Sequence, residues 1–473
     1  MSVKKLSKVF LLVLLIYVFY VCVTAVAIFY IPIEKEDNLK NVPSFLGKDS
    51  KDRVLLLENG YDSGIARIQM IKEAEQSIDI AYYSLGKGET TELFLGALLD
   101  AADRGVRIRV LLDGICHGLR GKMSDARYAL ASHKNIELRY YESINYLKPW
   151  TWHNRLHDKI MTVDQKLSII GGRNIGDKYL AKKPPEDFVY DRDLLIYNAK
   201  QDTGSVIVQM HRYMSDLWSH PYTNKPYSDL SKRQKKKGKE SSAALTTTYK
   251  NAVSEQREFV SSSINWEQSS VKANHVSFIH NPIERFHKQP IVWQTLSILA
   301  ERAQKSVIIQ SPYIIPTKPM KKVIPQKTNS SVEWTILTNS VKSTPNIMAF
   351  SGYLGTRDDI VQTGVKLYEY QKPYSIHGKS IVYDQNLSAV GSFNLDSRSA
   401  FLNTDSMVLI DSSAFADQLT NAIEKKITDN SILVAENKQY IESAEERKEK
   451  EPIIKGTFLH ALSKITILWR RLI

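Results

Sequence analysis

Residues 156–179 read LHDKIMTVDQKLSIIGGRNIGDKY, and residues 376–399 read IHGKSIVYDQNLSAVGSFNLDSRS. Both contain H-x-K-x4-D: His157, Lys159 and Asp164 in the first, His377, Lys379 and Asp384 in the second. The apolar runs on either side of each aspartate are short and rich in branched residues, which reads as two strands joined by a tight turn. If each histidine opens a strand, alternation puts His157 and Lys159 on one face, and likewise His377 and Lys379. A lone histidine in a β-rich chain is usually a core or surface residue. Two copies in matched surroundings are a pair of half-sites.

Working outward, the flanks also repeat in the same order. Residues 77–84 (SIDIAYYS) return as 306–313 (SVIIQSPY), 106–114 (VRIRVLLDG) as 332–340 (VEWTILTNS), and 136–141 (IELRYY) as 365–370 (VKLYEY). Between these strands lie stretches with helical spacing of apolar residues, such as 91–103 and 291–304. Strands alternating with helices predict an α/β sandwich in each half. Duplication of a unit that carries one polar motif predicts a pseudo-two-fold body with both motifs at the interface between halves.

Outside the repeat, residues 9–31 form an uncharged apolar run long enough for a helix to cross a bilayer. A cleaved leader is the rival reading, given Ala25-Val26-Ala27, but the run continues through Ile31. Lys4, Lys5 and Lys8 ahead of it favour an internal N-terminus and an exported body. Between the halves, SKRQKKKGKESS reads as a solvated, mobile linker whose cations could also attract anionic headgroups. The tail PIIKGTFLHALSKITILWRRLI has helical spacing of bulky residues and suits either a membrane interface or packing on the body.

Composition narrows the class. At 43% hydrophobic and 24% charged residues the chain is globular rather than disordered, and its two cysteines exclude a disulfide scaffold. A net charge of +13 suits an anionic partner without choosing among nucleic acid, phosphorylated substrate and lipid.

The motif chemistry favours a phosphate. Each imidazole can attack or carry a proton beside a lysine that attracts a phosphate oxygen. After each hairpin, Asn174 and Asn394 can add amide donors, and Ser392 a hydroxyl. His153 and His157 have a zinc-helix spacing, but Pro149 and the following strand argue against a helix there, and no third ligand is evident.

With these motifs the chain resembles the phospholipase D superfamily from about residue 54 to 410, and more narrowly the bacterial cardiolipin synthases of the C type. GGRNIGDKY from Gly171, SPYIIPT from Ser311, LTNS from Leu337, SGYLGTR from Ser351 and GSFNLDSRSAFLNTD from Gly391 carry the likeness. It implies a phosphohistidine mechanism without cofactor or metal, His157 attacking and His377 acting as acid and base. Lys159, Lys379, Asn174, Asn394 and Ser392 would hold phosphate, while Asp193 and Asp405 match carboxylates that orient the histidines. Asp164 and Asp384 belong to the catalytic motifs, as braces rather than substrate contacts. Arg173 departs from the superfamily's usual serine and agrees with the C-type subgroup.

The organisation expected is a basic tail (1–8), an anchor (9–31), a linker (32–52), a first phospholipase D-like repeat (53–226), a basic linker (227–268), a second repeat (269–435) and a charged, amphipathic tail (436–473). The expected function is phosphatidyl transfer to phosphatidylglycerol, making cardiolipin, with phosphatidylglycerol or phosphatidylethanolamine as donor. Hydrolysis to phosphatidic acid and a membrane-anchored nuclease are the alternatives. Nucleic acid is disfavoured, because the strongest basic cluster lies outside the repeats and no groove with spaced aromatics is evident.

Overall fold

The computed structural model describes residues 3–30, 50–286, 288–317, 320, 331–435, 440–441, 459, 462–464, 466 and 470–472. The six central strands of its two sheets have the same order. In the first, the motif hairpin Lys159–Val163 and Leu167–Gly171 lies between Asp193–Tyr197 on one side and Ser77–Tyr82, Arg107–Asp113 and Ile136–Tyr141 on the other. In the second, Ser380–Tyr383 and Leu387–Gly391 lie between Ser406–Asp411 and the strands Ser306–Gln310, Glu333–Asn339 and Lys366–Tyr370. The expected two-repeat α/β architecture is present.

Alternation explains how the sheets are covered. Ile80 and Met161 face helices of their own repeat, whereas their neighbours Ala81 and Ile160 enter a core shared with Ile308, Val382 and Val390 of the other repeat. Both faces of the hairpin strands are therefore buried, and that is why they read as continuous apolar runs. Helices Val206–Ser219 and Ser413–Asn430 add Met210, Leu217, Leu419 and Ile423 to the shared core, so each half is sealed by the other.

The motif aspartates sit in the hairpin turns. Asp164 and Gln165 have φ of 51° and 53°, and Asp384 and Gln385 have 51° and 56°, the left-handed geometry of a tight hairpin. From there Asp164 accepts the backbone N–H groups of Glu75, Gln76 and Ser77, and Asp384 those of Gln304, Lys305 and Ser306. Each aspartate fixes the start of the neighbouring strand, at the far end of the hairpin from the histidine.

The basic segment is not a mobile linker. Ser231 and Gln234 form a capping box, and Lys232–Ser254 is a 23-residue helix. Gly238, Leu245, Tyr249 and Ala252 recur at helical spacing and are buried, while most of the cations point to solvent. A Cβ on Gly96 would lie 2.6 Å from the Leu245 carbonyl oxygen, so that glycine permits the close helix crossing. The lysine run hid a narrow apolar stripe. Residues 227–268 thus extend the outer layer of the first repeat, with Phe259, Val260 and Trp266 in its core.

The apolar N-terminal run forms helix Val3–Ala25 and a short 3-10 turn, Ala27–Tyr30. It is the one helix among the described residues long and apolar enough to cross a membrane, and almost none of it is buried. Most of the expected linker 32–52 and of the tail lies outside the described residues. Those tail residues that are described pack on the body: Leu459 and Thr466 are buried, and the Leu472 carbonyl accepts from Arg398 Nη1 at 2.9 Å.

Replacing Asp164 or Asp384 by Ala removes the side-chain acceptor of three backbone N–H donors at a half-buried turn and should cost about 1–3 kcal/mol. Denaturant unfolding of each variant, with histidine geometry checked by NMR, tests this; an unchanged midpoint would refute the bracing role.

Candidate active site

Each histidine is clamped to the opposite repeat. The His377 N–H donates to the Tyr190 carbonyl at 2.6 Å, beside the short parallel pairing of Ser375–Ile376 with Val189–Tyr190. His157 occupies the equivalent place, where Leu156 bridges Thr404 and the His157 N–H donates to Thr404 Oγ1 at 3.2 Å.

The side chains repeat this exchange. His157 Nδ1 lies 2.8 Å from Asp405 Oδ1, and His377 Nδ1 lies 2.5 Å from Asp191 Oδ2. A carboxylate on Nδ1 holds the proton there and leaves Nε2 as the reacting atom. Lys159 and Lys379, both buried, donate to the backbone carbonyls of His157 and His377. The lysine of each motif lowers the proton affinity of both histidines, which places the two half-sites in one electrostatic unit.

Burial first, then the lysines, push both imidazoles down to about 4, so both are neutral near pH 7. Burial brings Lys159 to about 7, with repulsion from Lys379 adding to it, and brings Lys379 to about 8 against the pull of Asp191 and Asp405. Asp191 is held at about 2: burial opposes its charge, but Lys379 and His377 prevail. The rings keep 13% and 15% exposure at His157 and His377, so solvent or substrate reaches them while their partners stay dry. An anionic phosphate arriving here meets two cations with little water to screen them.

Two expected roles change. Asp193 touches neither histidine: its carboxylate pairs with Arg67 at 2.9 Å and Arg173 at 3.2 Å and accepts from Ser63. Register explains the error. Gly171 faces Asp193 in the first sheet and Gly391 faces Met407 in the second, so the counterpart of Asp405 is Asp191. The two aspartates are two residues apart, and strand alternation cannot separate them. Room for Asp191 comes from Gly172, where a Cβ would lie 2.2 Å from Asp191 Oδ1.

Ser392 is the second correction. Its hydroxyl donates to Asp405 Oδ1 at 2.7 Å and accepts from the Ser406 N–H, so it steadies the carboxylate rather than facing phosphate. Asn174 Oδ1 accepts from the Ser84 N–H at 3.2 Å, whereas the buried Asn394 Oδ1 has no hydrogen-bond partner among the described residues. Asp164 and Asp384 are brought to neither histidine. Tyr83, which sequence reasoning passed over, stands edge-on to His157 with ring centroids 5.2 Å apart. Among the described residues no group of three or more His, Cys, Asp or Glu side chains is placed to hold a metal.

Two H-x-K half-sites, joined by carboxylates exchanged across a pseudo-two-fold interface, define a phospholipase D-type site. The family model described as cardiolipin synthase, PLD-like domain, matches residues 67–218 and 296–427, and the chain belongs to that family. It is an enzyme of the cardiolipin synthase kind within the phospholipase D superfamily. An uncharacterized protein of Helicobacter pylori strain 26695 is 31% identical, over 77% of each chain. Cardiolipin synthase C of Escherichia coli K12 is 26% identical over 76% of this chain and 81% of its own. The crystal structure of phosphatidylserine synthase from Haemophilus influenzae Rd KW20 shares the fold, with a TM-score of 0.64 at 17% identity over 92% of this chain and 98% of that one.

The two aspartates can be told apart experimentally. Asp191→Asn should lower kcat about 10- to 100-fold in a protein that still folds, as should Asp405→Asn. Asp193→Asn should instead destabilise by about 3–5 kcal/mol, because Arg67 and Arg173 lose a buried counter-charge. The reverse pattern in kinetics and denaturation would restore Asp193 as the orienting group. The pH profile of kcat/KM should fall as pH rises through about 7 to 8, where the free enzyme loses the Lys159 and then the Lys379 charge. A profile flat to high pH would contradict the depressed lysines.

Proposed function

We propose that the chain is a membrane-anchored phosphatidyltransferase that makes cardiolipin. The reading rests on one observation above all: two histidines, each held at Nδ1 by the other repeat's aspartate, share one pair of buried lysines. That arrangement suits a two-step displacement in which the two Nε2 atoms would flank one phosphate.

In the first step His157 Nε2 attacks the phosphorus of a phospholipid, phosphatidylglycerol or phosphatidylethanolamine. The bond to the headgroup oxygen breaks, and His377 gives its proton to the departing glycerol or ethanolamine. In the second step neutral His377 takes the proton of a phosphatidylglycerol hydroxyl. That oxygen attacks the phosphohistidine, cardiolipin forms, and His157 is regenerated. His377 must therefore gain a proton on substrate binding, and the phosphate's negative charge favours that gain. Lys159 and Lys379, with Asn174 and Asn394 nearby, would hold the non-bridging oxygens. No step calls for a cofactor.

The transferred group is the lipid less its headgroup alcohol, and anchoring by helix Val3–Ala25 would hold the site beside the lipid pool. Lys4, Lys5 and Lys8 support an internal N-terminus, which sets the catalytic body on the outer side of the cell membrane.

Purified full-length protein given labelled phosphatidylglycerol, with and without phosphatidylethanolamine, should yield cardiolipin on lipid chromatography. Phosphatidic acid alone would make the enzyme a hydrolase. Cleavage of single-stranded nucleic acid with no lipid product would make it a nuclease. His157→Asn and His377→Asn should each cut turnover by roughly 1000-fold or more. Trapping the phosphorylated residue should give phospho-His157; phospho-His377 would exchange the two roles.

A further inference from the structure

The loop that leads into His157 carries an apolar tip that stays largely exposed among the described residues. Ile144, Tyr146 and Leu147 are 47%, 63% and 77% exposed, whereas the ends of the loop are pinned. Glu142 is buried, ion-paired to Arg285 at 2.5 Å and bonded to Asn154 at 3.0 Å, and Arg155 Nη2 donates to the Glu142 carbonyl at 2.8 Å. The tip is therefore a rigidly mounted projection of the catalytic loop.

This tip lies against the N-terminal helix. Tyr17 Oη donates to the Tyr146 carbonyl at 3.0 Å and Tyr20 Oη to the Leu147 carbonyl at 2.7 Å. At the helix end, His153 Nε2 lies 2.7 Å from the Ala25 carbonyl oxygen, which makes the imidazole N–H the donor. Phe29 packs edge-on against His153, with centroids 4.9 Å apart.

Length turns these contacts into a constraint. A bilayer core of about 30 Å takes about 20 helical residues. The uncharged run begins at Val9, so the part preceding Tyr17 rises only about 12 Å at 1.5 Å per residue. The helix completes a span only if the stretch from Tyr17 onward, with the loop tip beside it, is also submerged. From Tyr17 to Ala25 is about a further 12 Å along the axis.

The polar groups of the tip agree with that placement. In hydrocarbon each backbone group needs a protein partner. The Tyr146 and Leu147 carbonyls have the two tyrosine hydroxyls, the Leu147 N–H donates to Asn145 Oδ1, and the Asn145 carbonyl accepts from Trp152 Nε1 at 2.9 Å. Lys148, exposed next to Leu147, has a stem long enough to bring its ammonium up to lipid phosphates.

We propose that residues 143–152 form a second membrane-inserted element, docked on the anchor helix, which holds the His157 half-site at the headgroup level of the bilayer. The occupant of the apolar tip is lipid. The proposal deepens the reading of the chain as an anchored phospholipid enzyme and rests on it. It implies that the anchor is part of the catalytic architecture and is held against the body rather than tethering it loosely.

The test uses the full chain in phosphatidylglycerol and phosphatidylethanolamine vesicles, with Cys22→Ser and Cys116→Ser removing native thiols. Leu147→Cys carries an environment-sensitive fluorophore, and Lys236→Cys on the solvated basic helix serves as control. The label at 147 should be quenched by nitroxide on lipid acyl chains and shielded from aqueous iodide, with the opposite at 236. Iodide quenching at 147 equal to that at 236 overturns the proposal. In parallel, Ile144→Asp with Leu147→Asp should lower turnover of vesicle lipid about tenfold. Turnover of short-chain phosphatidylglycerol dissolved as monomers should stay unchanged, and equal loss on both substrates also overturns the proposal. If the parent chain turns over no phospholipid, the catalytic reading falls, and the fluorescence result decides the docking alone.

Discussion

Neither repeat owns a complete catalytic pair. His157 belongs to the first half but leans on Asp405 of the second, and His377 of the second leans on Asp191 of the first. A buried carboxylate against a half-buried imidazole is favourable only with good geometry, because the carboxylate has given up its water. That geometry exists only when the two sheets are pressed together by their shared core. The large apolar interface of Ile160, Ile308, Val382 and their neighbours is therefore the condition for the chemistry as well as for the fold. Loosening it would separate each histidine from the group that sets its tautomer.

The half-sites are alike in plan and unlike in charge. Where the first motif has Asp158 the second has Gly378, and where the second repeat has Ser406 the first has Arg192, by the same strand register that equates Asp191 with Asp405. Asp158 is buried, bonded to Ser406 and Tyr213, and raised to about 6 by burial. Arg192 reaches Ser380 at 2.6 Å, past a Gly378 whose Cβ would lie 3.4 Å from its Nη1. One half-site thus carries an extra carboxyl group, and the other an extra guanidinium that is itself ion-paired to Glu58 at 2.7 Å. Two chemically identical rings can in this way take different parts in one reaction.

Much of this was legible in the sequence because the repeat is long and its periodicity is simple. Strands buried on both faces leave unbroken apolar runs, and a polar motif interrupting such runs twice marks a site. What escaped notice did so for identifiable reasons. Asp191 and Asp193 share strand parity, and only the pairing of Gly171 with Asp193 shows which one is out of reach. Ser392 has a hydroxyl suited to phosphate, and nothing in the sequence says that Asp405 takes it first. In the segment 232–254, a dense run of lysines masked four small or apolar positions that suffice for a packed helix, since charge on one face of a helix does not prevent burial of the other.

The N-terminal apolar helix is the element whose meaning changes most when sequence and structure are combined. By composition it is an apolar run with no polar face, and such a helix needs only a bilayer. Its contacts are nevertheless specific: two tyrosine hydroxyls and one backbone carbonyl meet the loop that ends at His157. Tyrosines at these positions satisfy carbonyls that water would satisfy in a soluble protein, and that substitution makes sense where water is scarce. A lipid substrate must deliver its phosphate to buried lysines while its acyl chains remain in hydrocarbon. Under the proposed anchoring, a site fixed to the span would shorten that path, because the distance from bilayer to histidine would be set by the fold and not by the reach of a flexible tether.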